Sequence, residues 1–220
     1  MLSQKSVLIT AGPTWEAIDP VRGITNHSSG KMGYALAHSA AQLGAKVYLI
    51  SGPVCLDSPD NVITTKIQSA LQMYQSVHQH IQKFKIDIFI SVAAVADYRP
   101  AESADQKIKK SCDELILKLI KNPDIVASVA KLEINRPYTV GFAAETQDLE
   151  RHTRGKLIAK NLDMIIGNDV SKQDIGFGSD LNQAIIMTRN QTFDLAKQDK
   201  SQLADTILSV ISNNIKETII

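Results

Sequence analysis

Short apolar runs alternate with amphipathic helical patterns along the chain, and that alternation limits the fold more than any other feature. Ser6–Thr10, Lys46–Ser51, Asp87–Val92, Tyr138–Phe142 and Asp163–Gly167 read as strands. Between them run helical patterns. Ser29–Leu43 is alanine-rich and closed by Gly44. Ile67, Ala70, Leu71, Tyr74, Val77, His78, Ile81 and Phe84 recur at spacings of three and four. Asn122-Pro123-Asp124 opens a helix to about Leu132, with Asn as cap, Pro at the first helical position and Asp in the first turn. Thr146–Lys160 is a further helix, and a last one follows Ser201 as its cap, with Leu203, Ile207, Val210 and Ile211 on one side. The expected fold is α/β: a Rossmann-like, mostly parallel sheet with helices on both faces. The 220 residues carry no linker, repeat or low-complexity tract, so residues 1–220 read as a single domain.

Two stretches break the alternation. In the flap of about residues 99–120, Lys107-Ile108-Lys109 and Leu115–Leu119 alternate like two strands of an excursion. At about residues 182–195, Asn182–Thr188 and Gln191–Leu195 form a hairpin pattern turning at Arg189-Asn190. Both are expected to build an extra layer or a dimer contact.

The polar motif Asn26-His27-Ser28-Ser29-Gly30-Lys31-Met32-Gly33 stands between the first strand and the first helix. A strand, the loop Ala11-Gly12-Pro13-Thr14 and a helix start gather backbone N–H groups, small residues and a lysine around one point, which suits an anion, usually a phosphate. Ser28 and Ser29 are candidates to cap the helix. Gly30 and Gly33 admit a ligand or strand close to the backbone. Neither familiar phosphate loop is present. The first glycine of a P-loop falls on Thr25, and Met32 stands at its Ser/Thr position. Of a G-x-G-x-x-G fingerprint only Gly30 and Gly33 remain, and the second strand runs into Ser51-Gly52-Pro53 without the acid that binds ribose there.

A net charge of +1 supplies no basic field for nucleic acid or a membrane surface, and Tyr98-Arg99 is too short a stretch for base stacking. Cys55 and Cys112 lack metal-ligand spacing and read as free thiols of a reducing compartment. Lys5 is followed at once by a strand rather than a signal-peptide run, and no apolar run reaches membrane-spanning length. The expectation is a cytoplasmic protein with no nucleic-acid or membrane partner. His78 and His80 are two apart and share no helical face. His27, in the key loop, is the one histidine worth testing. Local spacing assembles neither a metal site nor a nucleophilic triad.

In an open parallel sheet, ligands lie beyond the carboxyl ends of the strands. Those ends are Gly12-Pro13-Thr14, Ser51-Gly52, Ala93–Asp97, Ala143–Thr146 and Asn168-Asp169-Val170. Alanines at two of them leave room for a ligand, and Asp97, Glu145, Asn168 and Asp169 add polar groups. Asp97 either accepts from a ribose hydroxyl or caps a turn. Lys156 and Lys160 share a helix face and either grip a polyphosphate or are simply solvated, and the pattern alone favours solvation. Lys107, Lys109 and Lys110 either fold over the mouth or keep an exposed hairpin soluble. Asn26 either orients a carboxyl group or holds a loop, and Phe142 either stacks on a base or belongs to the core. For both, the pattern alone favours the structural role.

Taken in order, Ala11–Thr14 with Glu16, Asp19-Pro20-Val21-Arg22, Asn26–Gly33, Ala93–Asp97, Lys107–Lys110, Asn122-Pro123-Asp124-Ile125, Gly141–Thr146 and Asn168-Asp169-Val170 resemble the phosphopantothenate–cysteine ligase family over nearly the whole chain. They are most similar to its bacterial, CTP-using branch. The resemblance implies that 4'-phosphopantothenate is activated by CTP as an acyl-cytidylate, with release of pyrophosphate, and that L-cysteine then displaces CMP. It implies magnesium on the triphosphate without an all-protein cage. It makes Asn26 and Lys107 the catalytic residues, Lys107 by closing the flap over the site and contacting the nucleotide. Nucleotide contacts are implied at Gly12, Ser28, Ser29, Gly30, Ala93 and Asp97, at Pro123, Asp124, Ile125, Val126 and Phe142, and at Lys156 and Lys160. It also implies a homodimer joined through the flap, and association with a phosphopantothenoylcysteine decarboxylase, which forms the N-terminal half of many bacterial relatives. The first strand begins almost at Met1, so the expectation is either a stand-alone ligase or an excised domain. Two rivals remain: an NAD(P)-dependent reductase, weakened by the missing fingerprint, and a non-catalytic nucleotide-binding regulator.

Overall fold

The computed structural model describes residues 2–109, 113–169 and 181–217; Lys110, Cys112 and Val170 lie outside the described residues. In chain order the elements are β1 (Ser6–Ala11), β2 (Trp15–Ala17), β3 (Gly23–Thr25), α1 (Lys31–Gln42), β4 (Lys46–Ser51), β5 (Val62–Lys66), α2 (Ala70–Lys83), β6 (Ile88–Ser91), β7 (Tyr98–Pro100), β8 (Leu119–Lys121), α3 (Ile125–Ala130), β9 (Tyr138–Glu145), α4 (Leu149–Ala159), β10 (Met164–Asp169), β11 (Leu181–Thr188), β12 (Thr192–Asp199) and α5 (Lys200–Glu217).

Eight strands form one sheet in the order β12-β11-β10-β9-β6-β1-β4-β5. The six strands from β10 to β5 are parallel, and the β11–β12 hairpin adds an antiparallel edge. The chain builds outward from β1 through β4 to β5. It then crosses to β6 on the other side of β1 and builds outward again. The strand order therefore reverses between β1 and β6, which opens a crevice at their carboxyl ends.

Successive residues of a strand face opposite sides. Val7 and Ile9 of β1 enter the core under α1 and α5, whereas Leu8 enters the core under α2 and α3. Leu157 of α4 joins Ile165 and Ile185 in a third cluster. Helices thus cover both faces, which is why the central strands are apolar without interruption. The α1 helix lies close over β1 because position 33 is glycine. A Cβ there would stand 2.5 Å from the Cβ of Ala11. Ser39 on α1 donates to the Asp205 carboxylate on α5 and ties the two helices.

Several local expectations are corrected. Neither Ser28 nor Ser29 caps α1. Its N-cap is Gly30, at φ 78° in the left-handed region that glycine tolerates best. Asp124, not Asn122, caps α3, accepting from the Ala127 N–H at 3.1 Å. Asn122 instead donates from Nδ2 to Ala96 O at 2.8 Å and accepts from Arg99. Asp199 accepts from the Gln202 N–H at 2.8 Å, so Ser201 lies inside α5 rather than at its cap. The stretch around Lys107–Lys109 is not a strand, and the paired segments of the flap are β7 and β8. The 182–195 hairpin extends the main sheet rather than standing apart. Two features were not expected from the sequence: the edge strand β5 and the small β2–β3 hairpin. Glu16 on that hairpin is 2% exposed and accepts from the Ala70 N–H at 2.8 Å, satisfying one free donor at the start of α2.

Candidate active site

The loops that follow β1 and β6 are joined beyond the sheet. Ala94 N–H donates to Gly12 O at 2.9 Å, Thr14 N–H donates to Ala94 O at 3.3 Å, and Ala96 N–H donates to Thr14 Oγ1 at 3.0 Å. This gives the crevice a firm floor made of alanines and a glycine. The crevice has a volume of about 770 Å³. That is in the range of small-molecule sites.

From the β1 side it is lined by Gly12, and from the approach to α1 by Asn26, Ser28, Ser29 and Gly30. Ala93 and Asp97 line it from the β6 loop, and Pro123, Asp124, Ile125 and Val126 from the start of α3. Phe142 on β9 and Lys156 and Lys160 near the end of α4 also line it, so every site residue that the sequence singled out except Lys107 borders the crevice. The switch in strand order brings these segments together although they lie far apart in the chain.

Asn26 and the two lysines are held in place. Asn26 Nδ2 donates to Ala94 O at 2.9 Å, which fixes the amide across the β6 loop. Lys156 Nζ is 2.7 Å from Glu145 Oε1, and Lys160 Nζ is 2.9 Å from Asp124 Oδ2. Two carboxylates from different elements thus set two neighbouring ammonium groups at the rim. Glu145 Oε2 also stands 3.5 Å from His152 Nδ1. Asp97 is exposed, and the Asn122 N–H donates to its main-chain carbonyl at 2.8 Å. Phe142 is half-buried against the core while bordering the crevice, so it serves both settings.

Lys107 is exposed and is not part of this lining. Its segment is docked on the β2–β3 loop: Ala104 N–H donates to Ile18 O at 3.0 Å, Ile108 N–H to Asp19 Oδ2 at 3.1 Å, and Arg22 Nη2 to Ile108 O at 3.0 Å. These bonds use the backbone groups that a strand would need. His27 is also exposed and outside the lining.

Asp19 is 2% exposed. Arg22 beside it, together with the N–H groups of Val21, Ile108 and Arg22, holds its carboxyl far below the usual carboxylate range, against the upward push of burial. A depressed carboxylate stabilises the fold fully above its unfolded value near 4. That contribution fades as pH falls towards the folded value. The expected result is a flap that stays docked at pH 5 and loosens only in stronger acid. Asp19→Asn should show faster proteolysis of the flap at pH 7 and little further change down to pH 3. Equal rates for both proteins at every pH would contradict the anchor.

Asn182 and Lys200 line the crevice but carry no site signal in the sequence, whereas Asn168 is marked there as a polar strand end. Among the described residues no three His, Cys, Asp or Glu side chains cluster to hold a metal ion. Of the described residues that line the crevice, Asn168 has a buried Oδ1 without a hydrogen-bond partner.

The profile of the DNA/pantothenate metabolism flavoprotein C-terminal domain matches residues 2–215. The chain is 56% identical over 210 residues to the coenzyme A biosynthesis bifunctional protein CoaBC of Vibrio parahaemolyticus, covering 94% of this chain and 52% of that protein. It is 48% identical over 219 residues to the CoaBC of Escherichia coli K12, covering 98% and 53%. The chain therefore spans about half the length of the curated relatives it matches. The crystal structure of the C-terminal domain of CoaBC superposes with a TM-score of 0.83 at 37% identity, covering 98% of each chain. A Cab2 variant solved in complex with phosphopantothenate-cysteine has the same fold, with a TM-score of 0.78 at 16% identity over 98% of this chain and 89% of that one. The chain therefore belongs to the family of the DNA/pantothenate metabolism flavoprotein C-terminal domain.

Proposed function

We propose that this chain, acting as one ligase domain in a cytoplasmic setting, joins L-cysteine to 4'-phosphopantothenate at the expense of CTP, in coenzyme A biosynthesis. The observation that carries this reading is the crevice at the β1/β6 switch. It gathers a fixed asparagine amide, a helix start, a strand-end aspartate and a carboxylate-held lysine pair. The names of the CoaBC relatives and the ligand of the Cab2 complex support it.

In the first step a carboxylate oxygen of phosphopantothenate bonds to the α-phosphorus of CTP and the bond to pyrophosphate breaks. In the second the cysteine amine bonds to the acyl carbon, CMP leaves, and the amine loses a proton. The Asn26 amide is placed to donate to the acyl or phosphoryl oxygens without adding charge. Backbone N–H groups around Ser28–Gly30 face the phosphates. Asp97 accepts from the ribose, the start of α3 and Phe142 border the base, and Lys156 and Lys160 neutralise the nucleotide. A hydrated Mg²⁺ fits the donor set: phosphates and waters supply most of its ligands, and Asn168 Oδ1 would accept from one such water. When bound, the ion would share the charge of the triphosphate.

Lys107 acts by moving. Its segment leaves the docked position and covers the mouth, which keeps water from the mixed anhydride. Lys107→Gln is expected to keep its melting temperature while losing ligation by about 100-fold or more, the scale of one well-placed charge-stabilising donor. Unchanged turnover would remove Lys107 from the mechanism.

A second copy of the chain is the expected partner. Val21, Tyr98, Leu115, Ile116, Leu119 and Ile120 are exposed on the flap and on the β2–β3 loop where it docks, Ile116 at 89%. Clustered apolar exposure of this kind marks an interface. Sedimentation equilibrium should return the mass of two chains, and a monomer at micromolar concentration would contradict the dimer. Association with a phosphopantothenoylcysteine decarboxylase is proposed from the fused relatives alone.

The first half-reaction tests the reading. Pyrophosphate release from CTP should require phosphopantothenate and proceed before cysteine is added. Comparable rates with ATP would overturn the choice of CTP, and hydride transfer from a nicotinamide cofactor would establish the reductase instead.

A further inference from the structure

The ligase reading uses the lining from β1 to α4 and leaves one wall without a task. That wall is made by Asn182 on β11 and Lys200 at the first position of α5. Asn182 is 2% exposed and Lys200 is 9% exposed, yet both border the crevice. Both side chains are polar, and neither belongs to the apolar core clusters.

The fold explains how the two meet. Leu181 pairs with Asp199 and Asn182 with Gln198, so the start of β11 lies beside the end of β12. The ladder shifts register there, with the extra residue on β12 between Leu195 and Gln198, so the end of β12 is re-aimed while Asn182 keeps the sheet face of Ala184. The Asn182 Oδ1 accepts from the Gln183 N–H at 3.0 Å, which fixes the amide. The end of β12 delivers Lys200 to the same edge, and α5 then packs along α1. Asn182 and Lys200 therefore stand on the side of the crevice where α1 begins, across from the lysine pair of α4.

We infer that Asn182 and Lys200 form a phosphoryl subsite of the crevice, distinct from the Lys156–Lys160 rim. This rests on the ligase reading above. An ammonium group and an amide on one buried wall suit phosphate oxygens. Two sources supply that chemistry in the proposed reaction: the terminal phosphates of CTP, which depart as pyrophosphate, and the phosphomonoester of 4'-phosphopantothenate.

Direct binding measurements on the whole chain separate them. Wild type, Lys200→Met and Asn182→Ala are titrated by calorimetry with CTP, CMP, 4'-phosphopantothenate and pantothenate, with melting temperatures measured alongside. If the subsite holds the terminal phosphates, each variant loses about tenfold or more in affinity for CTP while CMP is unchanged. If it holds the monoester, the loss falls on phosphopantothenate and spares pantothenate and CTP. Both results support the inference and name the source. Folded variants that bind all four ligands as wild type does overturn it. So does equal weakening of CTP and CMP with phosphopantothenate unchanged, which marks a general distortion. A wild type that binds neither CTP nor phosphopantothenate overturns the ligase reading itself, and this subsite with it.

Discussion

Asn26→Asp is expected to lower kcat/KM by roughly 10² to 10³-fold, the loss found when one fixed donor to a developing oxyanion is removed. The substitution changes an NH₂ group to an oxygen and adds a negative charge, with almost no change in shape. At this position both changes are adverse. The Asn26 amide donates to Ala94 O at 2.9 Å, so a carboxylate would place an oxygen against a carbonyl oxygen. It would also face the carboxylate and phosphates of the proposed substrates, and like charges in a partly desolvated site repel strongly. Asn26 is exposed in the free chain, so the fold has little at stake. Steady-state CMP release, with melting temperature as control, reads the effect. Activity within threefold of wild type would return Asn26 to a loop-holding role.

Lys156→Ala combined with Lys160→Ala should raise the KM for CTP by about 10 to 100-fold, since hydrogen bonds to charged groups contribute roughly 1.5–3 kcal/mol each when well placed. The melting temperature should hardly move. The two pairs, with Glu145 and with Asp124, are partly exposed, and pairs of that kind contribute only about 0–1 kcal/mol to stability. The double variant thus separates the two meanings of a lysine pair at i and i+4. A solvated face predicts small changes in both quantities. A nucleotide grip predicts a large change in KM alone. An unchanged KM for CTP would restore the solvated reading that the pattern favoured before the fold was known.

The parts of the fold that were legible are those where burial writes itself into the pattern. β1, β4, β6 and β10 are buried on both faces and read as unbroken apolar runs. The edge strand β5 was not legible because no residue of Val62–Lys66 is fully buried and two of the five are threonines. The three-residue strands β2 and β3 are too short to show a period. At 107–109 the alternation of lysine and isoleucine imitated a strand, but the Ile108 backbone is engaged by Asp19 and Arg22, partners more than eighty positions away. Cap identity was off by two residues at α3, because Asn122 is drawn away to Ala96.

The site was legible wherever a ligand edge follows from the strand order. The ends of β1, β6 and β9 could be named in advance, and the structure brings them to one crevice. Asn182 and Lys200 were not, because a hairpin returns them to that edge and no spacing in the chain relates them to Asn26 or Asp97. Lys107 shows the opposite case: a motif match pointed to it, while the chain docks its segment outside the crevice.

The central claim is that this crevice couples nucleotide cleavage to cysteine ligation. The most direct test mixes the protein with magnesium, CTP and 4'-phosphopantothenate, with and without L-cysteine, and follows CMP together with product mass. The account predicts pyrophosphate release in both mixtures, and CMP with a cysteine-bearing product only when cysteine is present. CMP release without any cysteine adduct, or no turnover of CTP despite tight binding, would contradict it.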